Sequence, residues 1–195
     1  LSDRQIPTGS GGFCTASKSE IRNGSRSHAK ICFKDEADLM AQAILPGYQM
    51  LSISPRPGSV SAFLNSALPP APTGYDEKKI WTYLDELHND LKDENLRRRL
   101  VDQPREIEVD LADLRRYVTK DKGDRIFQVV DHVEIETQFD SGLPEGMKVF
   151  DLPGLEDPMP GILENMMKSV KEDADIVFFL RMPSPNGDQW TKSDI

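Results

Sequence analysis

Met147-Lys148-Val149-Phe150-Asp151-Leu152-Pro153-Gly154-Leu155-Glu156-Asp157 is the stretch that decides how this chain reads. An apolar run ends in Asp151, and Gly154 follows three positions later. That is the layout of a strand ending at the phosphates of a nucleotide, since α/β proteins bind ligands beyond the carboxyl ends of their strands. An aspartate there holds Mg²⁺ through water, and a glycine lets a backbone N–H approach the terminal phosphate. Alone, D-x-x-G turns up by chance about once in a chain of this length. The flanking sequence therefore carries the decision.

Upstream, residues 126–137 are strand-like. Val133, Ile135 and Thr137 alternate with Glu134 and Glu136, the pattern of an edge strand with one wet face. A turn at 141–146 leads into 147–152, which has apolar residues on both faces and is expected to be a central strand. Downstream, Ile162, Leu163, Met166, Met167 and Val170 mark a helix over 160–173. The continuous apolar run 175–181 then reads as a second buried strand. Strand, helix and strand make a βαβ unit and predict a parallel sheet.

Earlier in the chain, Ile80, Trp81, Leu84, Leu87, Leu91, Leu96 and Leu100 recur at helical spacing, so 76–101 reads as one helix with Trp81 as a packing anchor. A short helix over 110–120 turns Leu111, Leu114, Tyr117 and Val118 inward. Residues 46–75 carry Pro55, Pro57, Pro69, Pro70 and Pro72 and read as a long exposed connection, with a turn of helix near Val60 to Leu68. A helix over 35–45 is expected to stop at Pro46-Gly47. Asn23-Gly24 predicts a hairpin over 16–33. Residues 1–15 form a glycine-rich loop. It is not a Walker A loop, because G-x-x-x-x-G-K-[ST] is absent: Lys18 has no glycine before it.

The totals narrow the function classes. The chain has 195 residues, 37% hydrophobic and 29% charged. No run approaches the roughly 18 apolar residues of a membrane span. The net charge of −9 argues against nucleic-acid binding, which rests on Lys and Arg against phosphate. Arg97-Arg98-Arg99 reads as a solvated helix face beside acids. Two cysteines, Cys14 and Cys32, make no disulfide framework and fit a reducing cytosol. His28, His88 and His132 show no metal-ligand spacing with either cysteine, so no zinc site is expected.

Three pieces together resemble the GTPase domain of the dynamin-like proteins. Ile6-Pro7-Thr8-Gly9-Ser10-Gly11, followed by Thr15 and the strand-like Ser19-Glu20-Ile21-Arg22, is similar to the family's switch I. Val133 to Phe139, Leu143-Pro144-Glu145-Gly146 and Val149-Phe150-Asp151-Leu152-Pro153-Gly154-Leu155 are similar to the strand, turn and D-x-P-G motif of switch II. Asp173 to Leu180 is similar to the next sheet strand. The resemblance covers 6–33 and 126–195, and leaves 46–122 as an inserted, mostly helical element.

The resemblance implies an incomplete P-loop NTPase-like α/β sheet flanked by helices, the central part of a longer GTPase. It implies GTP and Mg²⁺ as ligands. Thr15 would coordinate Mg²⁺ and hold the attacking water, Asp151 would bind Mg²⁺ through water, and Pro153 and Gly154 would shape the loop that meets the γ-phosphate. It implies a cytoplasmic protein that pairs or oligomerises through its GTPase domains and reaches membranes through regions outside these residues. The phosphate-cradling loop would stand before residue 1, so this stretch alone is expected to bind GTP poorly or not at all and to be inactive. Thr191-Lys192-Ser193-Asp194 has the letters of the guanine-reading motif but no strand before it, and reads as a helix start. The alternative is a non-catalytic scaffold or protein-interaction domain that keeps the sheet without the chemistry. A hydrolase with a serine nucleophile ranks third, since no G-x-S-x-G elbow occurs and no histidine follows the βαβ unit.

Overall fold

The computed structural model describes residues 17–102, 104–119, 125–139, 144, 146–152 and 162–178. These residues form an α/β fold, an open five-stranded mixed sheet with helices. The strands are β1 (Lys18–Asn23), β2 (His28–Phe33), β3 (Glu106–Asp110), β4 (Val130–Thr137) and β5 (Lys148–Asp151), in the order β3-β2-β4-β1-β5. Only β1 and β4 run parallel; the β1–β5, β2–β3 and β2–β4 pairs are antiparallel.

Several expectations change here. β1 and β2 do not form a hairpin, because β4 lies between them. The Asn23-Gly24 link instead crosses the end of β4. The Gly24 N–H donates to the Thr137 carbonyl at 3.2 Å, and a Cβ on Gly24 would lie 2.1 Å from the Glu136 side chain. The glycine permits this close crossing, a use the turn signal alone does not distinguish from a tight hairpin.

β4 is the middle strand, not an edge, and residues 126–129 before it are a turn of 3₁₀ helix. Its alternation reports one polar face, and a polar face is compatible with a central position when neighbouring strands supply counter-charges. Conversely, among the described residues 148–151 lies at the edge of the sheet, where a central strand is expected from the sequence. Val149 packs on the core, while Phe150 on the opposite face lies under the Lys18 ammonium, 4.6 Å from the ring centroid. Of the expected strand 175–181, residues 175–178 form no strand, with Ile176 and Phe178 largely exposed, and 179–181 lie outside the described residues. An apolar run becomes a strand only where a sheet edge receives it, so no parallel βαβ unit forms among the described residues.

Helices α1 (Glu36–Leu39) and α2 (Leu45–Met50) are joined by a π-helical turn at Met40–Ile44. This is one continuous rod that passes the expected stop at Pro46-Gly47. The widened turn stands just ahead of Pro46, where the proline ring would otherwise crowd the preceding carbonyls. Gly47 lies against α4 (Tyr75–Asp90): a Cβ there would meet Leu84 Cδ2 at 2.8 Å. The periodic stretch 76–101 is two helices, α4 and α5 (Glu94–Val101), separated where Asp93 caps α5 through the Asn95 N–H. Strand β3, which the sequence did not disclose, follows them.

The proline-rich segment is largely exposed as expected, Pro55, Pro69 and Pro70 included, but Pro57 is buried and the segment is anchored at several points. Helix α3 (Val60–Asn65) buries Val60 and Phe63, and the Trp81 indole N–H donates to the Pro69 carbonyl at 2.8 Å. Helix α6 (Arg115–Val118) buries Tyr117 and Val118, with Leu114 beside it. The described part of the 46–122 region carries α2 to α6, and it also supplies a sheet strand and much of the main core. Helix α7 (Ile162–Asp173) matches the expected position. Arg97, Arg98 and Arg99 are exposed as expected, with Arg98 paired to Glu94.

The registers give the sheet two unlike faces. One carries Ile21, Ala29, Ile31, Phe33, Val133 and Ile135, all buried in one core cluster with Leu39, Ile44, Phe63, Leu84, Leu87 and Leu91. The other carries Lys18, Glu20, Arg22, His28, Lys30, Cys32, His132, Glu134, Glu136 and the acids of β3. Helix α7 meets this polar face at Lys18, whose ammonium donates to Ser169 Oγ at 3.1 Å and pairs with Asp173 at 2.7 Å.

Candidate functional site

Asp151 is the last residue of β5, exposed and in register with Ser19 on β1. Thr15, Pro153 and Gly154 lie outside the described residues, as do the glycine-rich loop and Thr191 to Asp194. What the sheet does place is the pair of chain segments that lead to them. Because β1 and β5 are antiparallel, the start of β1 and the end of β5 fall at one end of the sheet. Lys18 opposes His132 across β1 and β4, and His132 opposes Cys32 across β4 and β2. Asp151, Lys18, His132 and Cys32 therefore belong to the same end of the sheet.

A β-bulge marks that end. The register slips between Cys32 and Phe33, so Asp131 is the extra residue on β4. Bulges re-aim side chains and gather near functional sites. Here Asp131 Oδ2 faces His132 Nδ1 at 2.8 Å, and Asp131 Oδ1 accepts from Gln42 Nε2 at 3.2 Å. The hydrogen bond with Asp131 raises the His132 pKa, and the same bond holds the Asp131 carboxyl below its ordinary value. The ring's other nitrogen, Nε2, lies 3.8 Å from Glu134 Oε1.

Glu134 is the hub of the polar face. Its Oε1 pairs with Lys30 at 2.9 Å, and its Oε2 accepts from Arg22. Burial pushes its carboxyl up, but the Lys30 hydrogen bond and the nearby cations outweigh this and leave it below the usual range. Lys30 in turn is raised, chiefly by its hydrogen bond to Glu134. Burial pushes the Cys32 thiol up to about 11. Beside these residues is a cleft of 190 Å³ lined by Arg22, His28, Lys30, Glu108, Glu134 and Glu136.

Lys34, just past β2, is buried and donates to the Val130 carbonyl at 2.9 Å; burial lowers its pKa. Sequence reading missed the Cys32–His132 juxtaposition entirely. The two residues are far apart in the chain, and only the β2–β4 register makes them neighbours. The alternation of β4 was the available signal, since it put His132 and Glu134 on one face. The partner strand was not legible, because the hairpin reading paired β2 with β1.

Compared with protein-family models and with curated proteins, the sequence finds no match. The class that the structure defines is an α/β fold, an open five-stranded mixed sheet with helices. Among the described residues no helix is long and apolar enough to cross a membrane.

Proposed function

We propose that this chain is the central part of a dynamin-like GTPase domain that binds Mg²⁺–GTP and hydrolyses it to drive self-assembly or membrane remodelling. The observation that carries this reading is the β1–β5 register. Thr15 stands four positions before Ser19, Gly154 stands three after Asp151, and Ser19 and Asp151 are cross-strand partners. A site that needs a hydroxyl and a backbone N–H around one Mg²⁺–phosphate group requires their two segments to meet at one sheet end. Phosphoryl transfer is mostly positioning and charge neutralisation, so few groups are needed. In this reading Asp151 binds Mg²⁺ through water, Thr15 coordinates the ion and holds the attacking water, and the Gly154 N–H meets the γ-phosphate. Pro153 fixes the entry to that loop.

The competing reading is a scaffold or protein-interaction domain without hydrolysis. A G-x-x-x-x-G-K-[ST] in the sequence upstream of residue 1 favours hydrolysis, and its absence there favours the scaffold. GTP turnover by the complete protein separates the two. The GTPase reading expects Mg²⁺-dependent turnover that Asp151→Ala and Thr15→Ala each reduce. No Mg²⁺-dependent turnover in the wild type rejects the GTPase reading. Turnover that survives both substitutions rejects the residue assignment alone.

A further inference from the structure

We infer that Cys32, His132 and Glu134 form a binding site for a divalent transition-metal ion of the zinc type on the polar face of the sheet. One ligand atom from each residue, a thiolate sulfur, an imidazole nitrogen and a carboxylate oxygen, lies within 4.8 Å of the others. Zinc bonds of about 2.0 to 2.3 Å place tetrahedral ligand atoms roughly 3.3 to 3.7 Å apart. The His132 Nε2 to Glu134 Oε1 distance of 3.8 Å is already close to this. Rotation of side chains on fixed strands closes the remainder.

The arrangement has the outer shell that metal-bound histidines use. A ligating imidazole donates its second N–H to a carboxylate, which fixes the tautomer and the ring plane. Asp131 stands 2.8 Å from His132 Nδ1, and Asp131 is itself held by Gln42. The bulge puts Asp131 in that place. Nε2 is thereby left to face Glu134. Asp131 is a positioning residue, while the three others supply the donors.

Charge allows the ion. Thiolate and carboxylate neutralise a divalent cation, and Arg22 keeps its bond to Glu134 Oε2 while Oε1 turns to the metal. Lys30 must leave Oε1, and it has another acid at hand: Glu106 lies 3.6 Å from its ammonium. The Cys32 thiol, protonated without a metal, gives up its proton on coordination, as a coordinating thiol does. Three protein donors leave a fourth position for water or a small ligand. His132 and Glu134 are partly exposed, which gives an ion a route in. This site is independent of the GTPase reading.

The test is titration of the reduced, metal-free complete protein with Co²⁺, followed by Zn²⁺ competition. The expected result is about one equivalent bound, with a sulfur-to-cobalt charge-transfer band and visible bands of a four- or five-coordinate ion, all removed by Zn²⁺. Cys32→Ser and His132→Gln abolish the charge-transfer band, Asp131→Asn weakens Co²⁺ binding about 10- to 100-fold, and Cys14→Ser leaves the spectrum intact. Circular dichroism checks that each variant folds. No charge-transfer band in the wild type overturns the site. So does a band that persists in folded Cys32→Ser or His132→Gln, or one that Cys14→Ser removes.

Discussion

The two faces of β4 differ in what they do. Val133, Ile135 and Thr137 point one way and are almost wholly buried; His132, Glu134 and Glu136 point the other way and stay partly exposed among charges. The strand period of two separates these sets completely. The first face carries stability through the helical layer. The second is held by ion pairs that contribute little, and its side chains are free to serve chemistry. The difference teaches that a central strand need not be apolar on both sides, provided its neighbours neutralise what it displays.

Adjacent substitutions on this one strand offer the strongest challenge. Ile135→Ala removes a fully packed side chain and is expected to cost about 2–5 kcal/mol in urea unfolding. Glu134→Gln, one residue away, is expected to cost less than about 1 kcal/mol, because its partners Arg22 and Lys30 remain partly in water. Equal losses would erase the distinction between the faces.

Gly47→Ala comes next. Its Cβ would meet Leu84 Cδ2 at 2.8 Å where α2 crosses α4. Overpacking there is expected to cost about 1–3 kcal/mol, read as a shift of the urea midpoint at constant slope. A neutral result would mean the helical layer is looser than its burial implies.

Trp81→Phe keeps an aromatic ring but removes the N–H that reaches the Pro69 carbonyl. The expected loss is about 0.5–1.5 kcal/mol, together with faster proteolysis of the 66–74 connection. An unchanged protease pattern would show that this segment is held by other contacts.

The smallest effect is expected at Asp35, which caps α1. It accepts from the Asp38 N–H at 2.7 Å, and its second oxygen pairs with Arg105. The backbone N–H, foremost, lowers its carboxyl below the ordinary value in the folded state. Its contribution is therefore present at neutral pH and lost as acid protonates it through that lowered value. Thermal melts of wild type and Asp35→Asn should differ at pH 7 and converge towards pH 2. A constant gap would assign the effect to something other than this carboxylate.

Local signals in the sequence read well where one element decided its own form. The spacing of Ile80, Leu84 and Leu87 is a helix whatever surrounds it, and Leu114, Tyr117 and Val118 turn inward as their positions require. What the sequence hid depends on partners. Asn23-Gly24 permits a sharp change of direction in either a hairpin or a crossing, and the insertion of β4 chooses the crossing. Glu106-Ile107-Glu108-Val109-Asp110 alternates faithfully, yet its acids masked it until Lys30 and His28 stood opposite. The place of Asp151 at a strand end was legible from the apolar run before it, and the described fold puts it there. Cys32 with His132 was not, because contact across strands leaves no spacing in the chain.

The central proposal is that the sheet end bearing Asp151 holds Mg²⁺–GTP. Equilibrium binding of a fluorescent, non-hydrolysable GTP analogue to the complete protein, with and without Mg²⁺, tests it most directly. Asp151→Ala should weaken binding at least about tenfold, or 1.4 kcal/mol, in Mg²⁺ and leave the Mg²⁺-free affinity nearly unchanged. Equal affinities of wild type and Asp151→Ala in Mg²⁺, or no binding by the wild type, would contradict the account.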